Sequence, residues 1–245
     1  MKQAKKLLAC AIIASTVVLP GCVTNPAKEK IKAYQQGMVF EDTLSIGNHE
    51  LPLPEGKWTY VGSQFHISDR NRPFGIVSLI KSDGKVLTDA LLVMSALDQG
   101  GTAGYWSSSF CERRDLLYKE VRTNVEGKKQ DCWGINYFVT ARTQKTGSAA
   151  RKTLEYIKKH RLEMPSFAVY SQHRLTEYGN FVEYQHATNP EYYSNVEPVP
   201  ASSWLSSEWH VDRYYRDPQK VQYVDRVKRQ AQKLHEKLKL GFAVN

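Results

Sequence analysis

The stretch Phe74-Gly75-Ile76-Val77-Ser78-Leu79-Ile80, followed by Ser82-Asp83-Gly84 and then by Val86 through Leu97, decides the fold class. The first arm is apolar and rich in β-branched residues, Ser-Asp-Gly supplies turn chemistry, and the second arm resumes the apolar run. The segment therefore reads as a β-hairpin. Within the second arm Leu91-Leu92-Val93-Met94 is nearly continuous rather than alternating, which predicts a central strand covered on both faces.

The flanking sequence extends the same pattern. Upstream, Leu51 to Gly56 is a Pro-punctuated lead into the β-rich run Trp58-Thr59-Tyr60-Val61-Gly62, and downstream Gln99 to Gly104 interrupts regular structure. Cys111–Thr123 and Cys132–Ala141 read as strands joined through Glu126-Gly127-Lys128-Lys129; residues 167–175 and 180–187 read as another pair around Glu177-Tyr178-Gly179-Asn180. Ser148 to Leu162 has helical spacing, with Ser148 as a cap and Pro165 as a stop. Ser203 to Tyr215 reads as a short helix or helical turn. Asp217-Pro218 is a strong helix start, and Val221, Val224, Val227, Ala231, Leu234 and Leu238 then form one apolar stripe, with Gly241 placed just after the helix. Together these elements predict an α+β fold, an antiparallel sheet with an inserted helix and C-terminal helices packed on it.

Composition agrees with one globular unit plus appendages: 245 residues, 41% hydrophobic and 24% charged. Only one stretch is apolar enough to meet lipid, which excludes a multi-span membrane protein. Lys2, Lys5 and Lys6 precede an uncharged run from Leu7 to Leu19, and 13 residues are too few to cross a bilayer. The run ends in Leu19-Pro20-Gly21-Cys22, which resembles the lipobox of bacterial lipoproteins.

That resemblance implies removal of residues 1–21 as a signal peptide and acylation of Cys22, giving a partner in the membrane itself through several lipid chains. Val23 stands where Asp would retain the protein at the inner membrane, so the resemblance implies the outer membrane, facing the periplasm. Residues 22–48 then read as a tether and 49–245 as a single periplasmic domain. Processing removes three Lys and no acid, leaving 31 basic against 25 acidic residues, a net +6. Nucleic acid is no sensible partner for such a protein.

Of four cysteines, Cys10 leaves with the signal and Cys22 carries lipid, so Cys111 and Cys132 remain. In an oxidising compartment they read as a disulfide stapling the hairpin of their two strands near its open end; a metal pair or a redox pair is the competing reading. No cofactor is indicated.

No Gly-x-Ser-x-Gly elbow, Walker A loop or His-Glu-x-x-His motif occurs. Ser82-Asp83-Gly84-Lys85 and Lys145-Thr146-Gly147 match fragments of the penicillin-recognising enzymes, but Ser82 to Lys85 is a turn between strands rather than a helix start. The histidines are scattered; His173 and His186 fall on two arms of one hairpin, without a metal-ligand pattern. No catalytic or metal-binding residue is assigned. Glu112, Arg113, Arg114 and Asp115 beside Cys111 read as solvent-facing strand charges and ion pairs rather than as a bidentate carboxylate or phosphate site, and the basic residues of the last helix as its solvated face. The second half of the chain is crowded with aromatics, and Tyr170, Tyr184, Trp204, Trp209 and Tyr214 form the candidate surface for a ligand or partner. The sequence thus points to a non-enzymatic binding or scaffold protein whose partner is a periplasmic protein or an envelope glycan. The alternative is an envelope hydrolase acting on cell-wall or glycan material.

Overall fold

A computed structural model of the protein describes residues 29, 31, 34–68, 71–97, 104–140, 148–194 and 205–243. Cys10, the lipobox with Cys22, the Lys-Thr-Gly triplet at 145–147 and Trp204 lie outside these residues. Strands run in the order β1 (Val39–Phe40), β2 (Thr43–Ile46), β3 (His49–Pro52), β4 (Trp58–Ile67), β5 (Pro73–Asp83) and β6 (Val86–Ala96), then β7 (Tyr118–Asn124), β8 (Lys129–Val139), β9 (Phe167–Glu177) and β10 (Asn180–Thr188). The helices are α1 (Ser109–Glu112), α2 (Ser148–His160), α3 (Pro190–Ser194) and α4 (Pro218–Ala243).

Eight strands form one antiparallel sheet in the order β1-β4-β5-β6-β10-β9-β8-β7, while β2 and β3 pair separately. The hairpin of β5 and β6 lies at the centre, paired from Phe74↔Ala96 to Asp83↔Val86, with Gly84 at φ 54° in its turn. That turn needs a residue tolerant of left-handed backbone, and glycine supplies it without steric cost. The fold is α+β.

One face of the sheet carries the main core. Trp58, Leu79, Val93, Tyr184 and Ile135 are buried there beneath two covers, the β2–β3 hairpin through Leu44, Ile46 and Leu51, and α4 through Val227, Ala231, Leu234 and Leu238. Each fully buried aliphatic side chain of this kind stabilises by about 1.5–3 kcal/mol. The other face is covered in pieces. Helix α2 lies in the β8–β9 connection and packs on β4 and β5, where Ile157 meets Val61, Ile80 and Leu87. The segment from Tyr105 to Leu116 covers the opposite side, with Phe110, Cys111 and Leu116 against Cys132.

Four expectations change. Residues 34–48, read as tether, belong to the packed unit, because Leu44 and Ile46 are fully buried in the main core. The strand expected from Cys111 begins at Tyr118; Cys111 sits instead on α1, whose Phe110 and Cys111 turn inward. The disulfide, with Cα atoms 6.0 Å apart, therefore ties α1 to β8 near its β7–β8 turn rather than stapling the open end of a hairpin. Arg113 and Asp115 do form an ion pair, a fork at 2.8 and 2.9 Å, on the segment that precedes β7. Finally, Gly241 lies inside α4, where a Cβ would stand 2.9 Å from the Glu50 carbonyl oxygen; its role is close approach to β3, not helix termination. The start of α4 is as expected: Asp217 accepts the Gln219 amide at 2.9 Å and pairs with Lys220.

Candidate functional site

Between α2 and the Tyr105–Leu116 cover, the sheet leaves a cavity of about 630 Å³, within the range of small-molecule sites. Its floor is hollow because the side chains there are small. Ala90 of β6 and Ala187 of β10 are directly opposed, flanked in the same row by Ile80 and Tyr170. Ala168, Leu92 and Phe138 extend the floor, and Ala149, Thr153, Leu154 and Ile157 of α2 form a wall. The apolar run at 91–94 now has a physical account: Leu91 and Val93 fill the main core, while Leu92 faces this cavity and Met94 packs farther along the same face.

Charge is kept out. Among the described residues no Lys, Arg or Glu lines the cavity, and the one acid, Asp89, turns its carboxylate to the other face. There it accepts hydrogen bonds from His186 Nε2 at 2.9 Å and Tyr193 Oη at 2.6 Å. Burial pushes the Tyr170 phenol up, so it stays neutral. The polar lining groups are amides and hydroxyls; among them Ser78 Oγ is buried with no hydrogen-bond partner. A second hollow of about 410 Å³, bordered by Glu163, Glu191 and Tyr192, shares Met164, Pro165 and Asn189 with the first.

A different polar constellation lies under α4 on the core face. Ser171 Oγ, His173 Nε2 at 3.1 Å, His173 Nδ1 to His235 Nδ1 at 3.3 Å, and His235 Nε2 to Asp131 Oδ1 at 2.8 Å form one chain. One proton arrangement satisfies it throughout. The Ser171 hydroxyl donates to His173, the His173 Nδ1–H donates to His235, and the His235 Nε2–H donates to Asp131. Both rings are then neutral, and burial together with His235 and His186 holds His173 well below the ordinary histidine range. The residue types are those of a hydrolase, but Ser171 is 1% exposed and lines neither cavity. As built, the chain fastens α4 to the sheet.

The predicted aromatic surface is divided between the two faces. Tyr170 borders the cavity and Cys111. Tyr184 is fully buried on the core face and donates to the Pro52 carbonyl at 3.0 Å. Trp209 is buried between Phe167 and Tyr223, and Tyr214 packs at the edge of that cluster. The basic face of α4 is partly engaged, with Lys228 over Tyr118 at 3.9 Å and Arg226 over Tyr223 at 4.7 Å. Ser82 to Lys85 is the β5–β6 turn, as expected. His173 and His186 share a face, but each is engaged with other partners. Among the described residues no cluster of His, Cys, Asp or Glu suits a metal ion, and no helix is long and apolar enough to cross a membrane.

The sequence reading missed the cavity floor and His235. Small residues at Ala90, Ala168 and Ala187 carry no chemical signature, and only strand register brings them together. His235 did leave a signal, since it stands four residues after Ala231 and three before Leu238, on the buried stripe. Comparison of the chain with family models, with curated proteins and with solved structures finds no match.

Proposed function

We propose that this chain is a lipid-anchored outer-membrane protein whose periplasmic domain binds an uncharged, mainly apolar molecule and performs no chemistry on it. The observation that carries the binding reading is the roughly 630 Å³ cavity with its floor of small side chains and its exclusion of charge. Helix α2, taken as an element inserted in the β8–β9 connection, supplies one wall of the site. The anchor reading rests on Leu19-Pro20-Gly21-Cys22 and the run before it. Within the cavity, Ser78 Oγ offers the ligand one hydrogen bond, while shape and apolar contact supply the rest.

Titration of the full chain with an uncharged fluorescent probe, a monoacylglycerol carrying a nitrobenzoxadiazole group, tests this reading, with unlabelled neutral lipids and charged analogues as competitors. Saturable binding at one site, displaced by neutral lipids more effectively than by charged analogues, supports it. Probe binding that is unsaturable, or unchanged when the cavity is filled by Ala187→Phe, counts against it.

A further inference from the structure

The first described residues lie at one end of the sheet. Ile31 packs where a side chain on Gly75 would stand, beside Leu97 and Ile46, and Gly75 is the third residue of β5. The β4–β5, β7–β8 and β9–β10 turns lie at that same end, and hydrogen bonds knit them together. Arg72 Nη1 and Tyr105 Oη both donate to the Gly179 carbonyl, at 3.3 and 2.7 Å, and the Gly127 amide donates to the Tyr105 carbonyl at 2.9 Å.

From this braced end large apolar side chains face solvent. Tyr178 is 74% exposed, Trp106 62%, Ile67 52% and Val125 48%. Their backbone is held firmly: the Trp106 carbonyl accepts from Gln130 Nε2 at 2.6 Å and Arg174 Nη2 at 3.0 Å. Tyr178 occupies a left-handed φ of 52°, a conformation that a bulky residue adopts at a cost. Exposed clusters of this kind mark interaction surfaces, and Trp and Tyr favour the membrane–water interface.

The position of the chain's start identifies the partner. Glu29 stands seven positions after Cys22, a distance of at most about 25 Å. From Gly75 to Asp83, at the far end of β5, the strand rises over eight residues, about 27 Å. An acylated Cys22 therefore starts from the Tyr178 end, and it reaches the opposite end only if drawn out straight along the whole sheet. We infer that this end of the sheet docks on the lipid surface, with Trp106 and Tyr178 seated at headgroup level and Ile67 and Val125 at the same end toward the sheet's two edges. The docked end supplies a second membrane contact beside the acyl chains, and it orients the domain. Met164, Pro165 and Asn189, which line the cavity, lie at the other end of the strands, so this part of the cavity is held away from the membrane. The inference rests on the anchor reading and is independent of what fills the cavity.

The test uses the full chain, processed in a bacterial host and reconstituted into phosphatidylethanolamine–phosphatidylglycerol vesicles whose acyl chains carry bromine. Mass analysis of the N-terminal peptide reports the lipid on Cys22 separately. The expected result is quenching of tryptophan emission that disappears in Trp106→Phe and returns when Tyr178→Trp is added to that variant. Equal quenching with and without Trp106, or none in a protein that carries its lipid, overturns docking alone. An N-terminal peptide without lipid overturns the anchor reading and the docking inference with it.

Discussion

His173 of β9 and His235 of α4 meet Nδ1 to Nδ1 at 3.3 Å, both sealed from solvent. Only one of the two nitrogens can carry the shared proton, so the bond survives protonation of one ring but not of both. Protonating His173 places a charge in a site sealed from water, so acid works against the docking of α4.

Stability should therefore fall on mild acidification. Burial first, then His235 and His186, hold the folded-state pKa of His173 well below its unfolded value of 6.5. In that interval the unfolded chain binds the proton and the folded chain does not. The stabilisation is complete above 6.5 and is lost as the pH drops below it, at about 1.4 kcal/mol per pH unit for one proton. Carboxylates act lower. Burial would raise Asp131, but the His235 hydrogen bond with Lys239 and Arg122 outweighs it and holds the group below 3.8, so its contribution persists until more acid conditions. Urea unfolding at pH 7.5, 6.5 and 5.5 should show the loss over the last step; His173→Gln should be less stable at pH 7.5 and lose less over that step, the remainder coming from His49, which burial also holds below the ordinary histidine range. A wild-type curve that is flat from 7.5 to 5.5 contradicts the neutral-pair assignment.

Gly75→Ala tests whether residue 31 is core or tether. A methyl at Gly75 has no room, because Ile31, Leu97 and Ile46 occupy its space, and overpacking of this kind costs about 1–3 kcal/mol. Ile31→Ala removes the nearest obstacle. The double variant should recover part of the loss, a coupling of at least about 0.5 kcal/mol. Strict additivity of the two changes would mean that Ile31 does not pack there.

Reduction should cost the domain a stabilisation of a different origin. Cys111 and Cys132 are 21 positions apart, and opening such a loop loses about 3 kcal/mol on the chain-entropy account. Because Cys111 is held on α1 rather than on a strand, Cys111→Ser should expose the 109–116 segment to hydrogen exchange while the β7–β8 amides stay protected. Simultaneous loss of protection in β7 and β8 would show that the bridge supports the strands themselves.

The elements with strong local signals were legible in the sequence. The β5–β6 turn was set by Asp83-Gly84, and the start of α4 by Asp217-Pro218 with the apolar stripe that follows. What was hidden depends on distant register. The length of β7 was overestimated because the residues after Cys111 are compatible with a strand, whereas burial of Phe110 and Cys111 together favours a helical turn. Gly241 looked like a helix stop because glycine is common there; its actual reason is the Glu50 carbonyl, nearly two hundred positions away in the chain. The aromatic residues were visible, but their two-sided distribution was not, since the facing of Tyr170 and Tyr184 follows from one pairing, Tyr184↔His173, that no local pattern encodes. The cavity was the least legible feature, being made by alanines.

Binding in that cavity is the central claim, and native mass spectrometry of the protein purified from envelopes tests it most directly. Wild-type protein should release one equivalent of a neutral apolar molecule on denaturation. Ala187→Phe should release none while remaining folded, with stability changed by less than about 1.5 kcal/mol because the ring enters existing space. Wild-type protein that carries no such molecule and takes up none from a neutral lipid extract, or an Ala187→Phe variant that carries the same load, would contradict the account.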